Sequence, residues 1–467
     1  MPRVVVVGGG LAGLSAAVAA ARNGWAPLVL EKRPYLGGRA FSFVDRETQV
    51  EVDNGQHVFL GACTEYIAFL KEIGAWDNVT LQERLDIPVA RNGRLSRLRW
   101  STRVPQALGL LPALVSYRHL KLIDRLRVAY GMTRIRGERR GRESEAGRED
   151  EASRAVDRET FDAWLRRHGQ NDRTIGALWN LIVLPALNDD ITAVSADAGV
   201  MLFQTALMGG RKAAAIGYSR VALGKLAGDA ASAYLAAHGG NVRTSVEVER
   251  VEMRDGRAVA VVTTAKERVP ADAVVLAVPH NAVAALVPPG LLDPAGGAPG
   301  QRLDSAPIVG VHIWYDRRVL DDVFIAVLDS PVQWVFNVDA MHGFPATAPQ
   351  HVVISLSGAW RWAQMARDEL RSVFVPEMAR LFPRAAPEAV IRFLSVKQTD
   401  ATFRSTPGSG ALRPLQRTSV PNLALAGDWT ATGWPSTMES AVRSGNLAAE
   451  ALGPTSAPEA RVGTISR

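Results

Sequence analysis

One stretch near the start of the chain constrains the fold more than any other. Residues 4–21 are eighteen consecutive uncharged residues behind Arg3, the profile of a secretory signal or a membrane span. Their internal order points elsewhere. Residues 4–7 are four valines, a β-branched run suited to a strand buried on both faces. Gly8, Gly10 and Gly13 follow in a G-x-G-x-x-G pattern. Residues 14–22 are alanine-rich and helix-forming, and Asn23-Gly24 is a stop. Residues 26–31 read as a second strand ending in Glu31, eighteen residues after Gly13. Strand, glycine turn, helix, strand and acid together predict a βαβ unit that holds a dinucleotide. Gly8 permits the tight turn, Gly10 lets backbone approach a pyrophosphate, and Gly13 lets the helix pack close to the strand. Leu11 and Ala12 open the helix, whose positive end attracts phosphate. Glu31, with Lys32 beside it, is placed to accept hydrogen bonds from ribose hydroxyls.

Two further segments point to a flavin. Gly37-Gly38-Arg39 exposes backbone again, and Arg39 is long enough to reach a phosphate or the ring system. Residues 422–429 read as a strand stopping at Gly427-Asp428, an acid suited to ribityl hydroxyls. Ser436 and Glu439 have the spacing of an S-x-x-E capping box, with a helix running on to residue 452. Its N-terminus, at Thr437 and Met438, suits the flavin edge that turns negative on reduction. Cys63 is the only cysteine and the eight histidines are scattered. That excludes an intrachain disulfide and a multi-cysteine metal site, and no metal is expected.

In this order, residues 8–13, Glu31, 37–39 and 427–428 resemble the flavin-dependent amine oxidase and carotenoid desaturase superfamily. Residues 272–279 are similar to its strand returning from the substrate region. Residues 239–246 and Val251 are similar to its second cofactor segment, which implies that the Val246 backbone touches the adenine. Residues 53–58 and 426–445 resemble the hydroxysqualene dehydroxylase family, with weaker agreement at residues 179–188 and Arg413-Pro414. The resemblance fails at residues 137–158, which look like a charged insertion. It implies non-covalent FAD bordered by Gly55, Gln56 and His57. The fold implied is α/β: a Rossmann-like parallel FAD-binding sheet built from three separated stretches, interleaved with a mixed or antiparallel substrate sheet and a helical region. The expected divisions are FAD-binding parts 1–93, 216–288 and 416–453, a helical substrate and membrane region 94–215, a substrate sheet 289–415 and a flexible tail 454–467. The reaction implied is reduction of hydroxysqualene to squalene, with hydride from reduced FAD and hydroxide leaving as water. An unidentified electron donor must reduce the FAD.

Loss of an allylic hydroxyl needs an acid or hydrogen-bond donor near the flavin. His57 is the first candidate, because histidine titrates near neutrality; the plainer reading is a hydrogen bond to cofactor or backbone. Asn188 is the second, with a helix terminus as the alternative. Trp434 is a candidate aromatic wall for a cation, or ordinary packing. Two rivals share the fold: a polyene desaturase using oxidised FAD, and a non-enzymatic prenyl-lipid carrier, which does not need a complete flavin site.

The chain carries a net charge of +7, and the excess is concentrated. Residues 94–142 hold thirteen Lys or Arg against Asp124 and Glu138, interleaved with apolar clusters. A core helix with a solvated basic face and an interfacial membrane segment both fit. A bilayer-borne isoprenoid substrate favours the second, so a cytoplasmic protein attached peripherally to the inner face of the membrane is expected. Contact with upstream enzymes of the squalene pathway is a further expectation. No nucleic-acid motif is present, and no nucleic-acid partner is expected. Residues 141–159 read as a mobile loop, 161–224 as mainly helical, and 361–382 as one helix.

Overall fold

The four valines lie on the central strand of a five-stranded parallel sheet. The computed structural model describes residues 1–47, 49–104, 109–138, 156–292, 300, 302–344 and 349–454. Most of the expected 141–159 loop and of the tail lies outside these residues. The strand order is Asn241–Arg243, Ala26–Leu30, Arg3–Val7, Ala273–Leu276, Leu423–Leu425. All four pairings are parallel, with Val5 opposite both Leu28 and Val274. Three separated stretches of chain thus assemble one sheet, as the sequence predicts. Val4, Val5 and Val6 have no exposed surface, so the uncharged run is the buried heart of a domain.

Helices Leu11–Arg22 and Met438–Leu452 pack together across one face of this sheet. Glycine permits their close approach: a Cβ on Gly445 would lie 1.9 Å from Ser15 Oγ and 2.4 Å from Ala12 O. Ser15 Oγ donates to Val442 O at 3.1 Å. The first and last stretches of the described chain are therefore locked together beside the glycine loop.

A second sheet has seven strands, in the order Val390–Phe403, Ser305–Tyr315, Gln350–Leu356, Trp334–Asn337, Phe324–Val327, Asp86–Arg91, Arg94–Arg99. It is mixed: only the Phe324–Val327 and Asp86–Arg91 pairing is parallel. Alternation divides its faces. Val309, Val311 and Ile313 pack with Leu370, Phe374 and Met378 of helix Arg367–Leu381. Phe324, Trp334 and Phe336 join the core of the helical region on the opposite face. That region holds Leu111–Ser116, Leu122–Gly137, Phe161–Arg167, Asn180–Leu187 and Ala196–Leu202. Its centre is aromatic: Trp179 and Phe203 meet at 4.8 Å and Phe161 and Trp164 at 5.9 Å between ring centroids.

Several expectations change. The division between residues 93 and 94 falls in the turn of the hairpin Asp86–Arg91 and Arg94–Arg99, where Asn92 and Gly93 both have positive φ. Arg97 and Arg99 of this hairpin pair with Asp86, and Arg97 also with Asp322. Part of the basic stretch is thus neutralised inside the large sheet. Residues 161–224 include a strand, Ile216–Ser219, which pairs with Val58–Leu60 and Val79–Leu81. The helix expected over 361–382 is two, Trp360–Gln364 and Arg367–Leu381, because Glu369 accepts the Ala366 N–H and starts a second helix.

Candidate functional site

The glycine loop shows why each glycine is needed. Gly8 has φ +108°, and a Cβ there would lie 2.4 Å from Ala277 O. A Cβ on Gly13 would lie 1.9 Å from Gly8 O, so the helix can begin only because Gly13 has none. Gly38 comes as close to the loop: its Cβ would meet Gly10 Cα at 2.9 Å. At Gly10 itself only Gly38 Cα lies nearby, at 3.6 Å. Helix Leu11–Arg22 has no side-chain cap at its N-terminus and no acid in its first turn. An open glycine surface in front of uncapped N–H groups suits a pyrophosphate. By the same test, the residues present fit FAD.

Glu31 is buried at the end of the second strand. Its Oε2 accepts from Gly9 N at 2.7 Å and its Oε1 from Arg33 N at 2.8 Å. The carboxylate therefore ties the glycine turn to the following loop. Val246 donates its N–H to Glu31 O at 2.9 Å. Lys32 is exposed.

At the other end, Asp428 is buried and pairs with Arg39 and with the Ser436 hydroxyl. Burial alone would push its carboxyl up. Arg39 with its hydrogen bond, Ser436 and the Arg413 charge outweigh that and hold it below the ordinary range. Arg413 also donates to Asp428 O at 3.0 Å and Thr430 O at 2.5 Å. Gly427 N donates to Ser444 Oγ at 2.8 Å. The Asp428 loop is thus fixed against the last helix.

The capping box is a correction. Thr437, not Ser436, caps the last helix, its Oγ1 accepting from Ser440 N at 3.1 Å. Glu439 turns away and accepts from Glu65 N and Tyr66 N, at the start of helix Thr64–Glu72. Ser436 serves Asp428 instead. The helix N-terminus at Thr437 and Met438 remains, with different wiring.

The three candidate catalytic residues fare differently. His57 is half-buried, with Nδ1 3.1 Å from Gly55 O. Burial and the Arg39 charge push its pKa down, against the pull of the Gly55 carbonyl. Its Nδ1 is engaged by the backbone carbonyl of Gly55, as the plainer reading of the sequence has it. Asn188 stands at the C-terminus of helix Asn180–Leu187 with φ +55°. Its Nδ2 donates to Ala306 O and Thr402 Oγ1, and its Oδ1 accepts from Gly358 N. Every polar atom of that amide is hydrogen-bonded within the fold, so Asn188 is a clamp at a helix terminus, the alternative the sequence offers. Trp434 packs against the cores of both the helical and the nucleotide regions. The Arg443 guanidinium lies 5.4 Å from its ring centroid, so one π face already meets a cation. Gly55 is buried beside half-buried Gln56, and Asn54 joins this segment to the cradle by donating to Arg39 O at 2.7 Å.

Sequence reasoning missed a buried pair on the large sheet. His312 Nδ1 lies 3.1 Å from His351 Nε2. Their only signal in sequence is that each falls on one face of an alternating strand.

An apolar cavity of about 230 Å³ lies between the hairpin and the helical region, lined by Leu98, Trp100, Leu114, Met132, Ile182 and Leu207. Beside it the helices Leu111–Ser116 and Leu122–Gly137 expose Val115 (69%), Leu122 (72%), Ile123 (56%) and Leu126 (60%). Among the described residues no helix is long and apolar enough to cross a membrane.

A dinucleotide cradle of this construction, closed by an ion pair between partly exposed Arg39 and buried Asp428, defines a flavoprotein oxidoreductase. The family described as flavin containing amine oxidoreductase matches residues 11–453, and the chain belongs to it. It is an enzyme and its cofactor is FAD. It is similar to hydroxysqualene dehydroxylases of Sinorhizobium fredii, at 28% identity over 96% of this chain and 98% of the relative, and Rhodopseudomonas palustris, at 29% over 96% and 97%. A 15-cis-phytoene desaturase of Glycine max is 25% identical over 96% of this chain and 79% of its own. Among solved structures, a wild-type putrescine oxidase bound to putrescine superposes with a TM-score of 0.69 at 18% identity, covering 96% of this chain and 98% of that one. That last likeness concerns the fold alone.

Proposed function

We propose that this enzyme reduces hydroxysqualene to squalene. The observation that carries the reading is that the likeness to the two dehydroxylases spans the substrate half as well as the cofactor half, at 96% of this chain and 97–98% of theirs. The cavity supports it, since its lining is apolar apart from Thr133 and Arg136 and a C30 hydrocarbon is met by apolar side chains. Reduced FAD, when bound, supplies the hydride. The chain's own residues hold the apolar chain, exclude water from the allylic cation and bring a proton to the departing hydroxide. Leu98, Trp100, Met132 and Ile182 supply the wall, and Trp434 packs against the cores of both the helical and the nucleotide regions. Anaerobic incubation of the reduced holoenzyme with hydroxysqualene should give squalene and oxidised flavin in equal amounts. A desaturase would instead leave hydroxysqualene untouched and reduce its flavin with a polyene, the second reading that the phytoene desaturase likeness supports.

The substrate lives in a bilayer, and the exposed Val115, Leu122, Ile123 and Leu126 stand beside exposed Arg118 and Lys121. This face supports peripheral attachment to an anionic membrane, with apolar side chains entering the headgroup boundary. Arg125 does not belong to it, because its guanidinium is taken by Val115 O, Tyr117 O and Leu120 O. Replacing Leu122 and Leu126 by Ser, with Arg118 and Lys121 by Glu, should end co-sedimentation with anionic vesicles and leave FAD bound. Unchanged sedimentation of that variant would move the docking face elsewhere.

A further inference from the structure

The apolar cavity carries a charge at its mouth that the reaction has not used. One face of helix Leu122–Gly137 lines the cavity: Ala129, Met132, Thr133 and Arg136 recur at the three- and four-residue spacing of a helix. The mouth lies where this helix and Leu111–Ser116 meet solvent. Leu111 is 45% exposed there, and Thr133 and Arg136 are exposed. The inner wall is buried: Leu98 and Trp100 come from the hairpin, and Leu178 and Leu207 from the π-helical turns Ile175–Trp179 and Phe203–Leu207. Wide turns of this kind are rare and gather at functional sites. The volume of about 230 Å³ exceeds the ~150 Å³ of an apolar cavity that takes up benzene.

The charge decides which ligand belongs here. Thr133 spends its hydroxyl proton on Tyr130 O, at 2.7 Å. Arg125 and Arg127 of the same helix are held by backbone carbonyls. Arg136 differs from them: it lines the mouth, and no partner holds its guanidinium among the described residues. An apolar chamber with one unpaired cation at its exposed edge fits a single hydrocarbon chain ending in an anion. A carboxylate matches the guanidinium fork with two parallel hydrogen bonds. Met132 and Met208 in the wall are unbranched and adapt to the shape of a chain.

We propose that this cavity is a binding site for a fatty acid, with the alkyl chain inside and the carboxylate on Arg136. The chamber has room for one chain, so its occupant is a free acid rather than a two-chain membrane lipid. The binding goes beyond the dehydroxylase reading and does not depend on it; on that reading the acid shares its wall with the substrate.

Calorimetric titration of the FAD-loaded protein with hexanoate, octanoate and decanoate, below their micellar range, tests the site. One acid should bind per chain, and affinity should rise about 4-fold for each added CH₂ until the cavity is full. Arg136→Gln should weaken octanoate about 2–5-fold, the worth of an exposed ion pair, down to the level of 1-octanol, and keep the increment per CH₂. The methyl signals of Met132 and Met208 should move when decanoate is added. Ala129→Phe fills the cavity from the helix and should remove both the increment and the methyl shifts, while its bound flavin reports that it folds. Affinity independent of chain length marks a surface ion contact and overturns the proposal. Unmoved methionine methyls overturn it too, as do wild-type octanoate affinity in Arg136→Gln or in Ala129→Phe, and binding to phosphatidylglycerol vesicles with none to decanoate.

Discussion

Around residues 8–13 the decisive contacts belong to the main chain. Gly8 N donates to Leu30 O at 2.8 Å, Gly37 N to Gly9 O at 2.9 Å, and Gly9 N to Glu31. Around the helical region and the large sheet they belong to side chains: the Asn188 clamp, the Phe161–Trp179–Phe203 cluster and the histidine pair. On the proposed function, the difference follows from what each region holds. A pyrophosphate is met by N–H groups, which every residue carries, so only glycine's absence of a side chain needs specifying. A hydrocarbon is met by shape, which many apolar sequences supply equally well. One half is therefore intolerant of single atoms, while the other tolerates apolar exchange but not the loss of its few polar clamps.

The largest effect should fall on the main-chain half. Gly13→Ala places a methyl 1.9 Å from Gly8 O, a clash with backbone that no side-chain motion relieves. Overpacking of this kind costs about 3 kcal/mol, roughly a 100-fold loss of FAD affinity. Fluorescence titration of the apoprotein measures it. FAD binding within a few-fold of wild type would mean that the loop has slack and would erase the contrast.

On the side-chain half, Asn188→Ala should lower stability by about 2–4 kcal/mol. It strips partners from Gly358 N, Ala306 O and Thr402 Oγ1 and leaves alanine at φ +55°. Turnover per bound flavin should stay within about 2-fold, because the effect is on folding. Urea unfolding alongside single-turnover rates separates the two. Intact stability with collapsed turnover would return Asn188 to the chemistry.

The same contrast explains what could be read from sequence. The parallel sheet, its three separated stretches and the residues of the cradle were legible, because the glycines and strand-end acids have fixed spacings imposed by backbone geometry. The wiring of residues 436–439 was not. Ser436-x-x-Glu439 satisfies the local pattern of a capping box, yet Glu439 is claimed by the helix Thr64–Glu72, more than 370 residues away. His312 and His351 were hidden for the same reason: they are 39 residues apart, and their contact depends on strand register. Arg97 and Arg99 read as membrane-facing charge, while Asp86 and Asp322 neutralise them in the folded sheet.

The smallest effect discriminates between two neighbouring hydroxyls. Thr437→Ala removes the true cap of the last helix and should cost about 1 kcal/mol, seen as faster hydrogen exchange in its first turn. Ser436→Ala should leave that exchange unchanged, because Ser436 caps nothing. It removes instead one of the donors holding the Asp428 pKa down. A carboxylate depressed in the folded state contributes stability above its ordinary value of 3.8, lost as pH falls through the folded value. With a smaller depression that contribution shrinks, so Ser436→Ala should begin acid unfolding at a higher pH than wild type, while Thr437→Ala should shift it less. Faster exchange in Ser436→Ala would restore the capping box read from sequence. An unchanged acid transition would mean that Arg39 and Arg413 hold Asp428 without help, making this end of the cradle, too, independent of any single side chain.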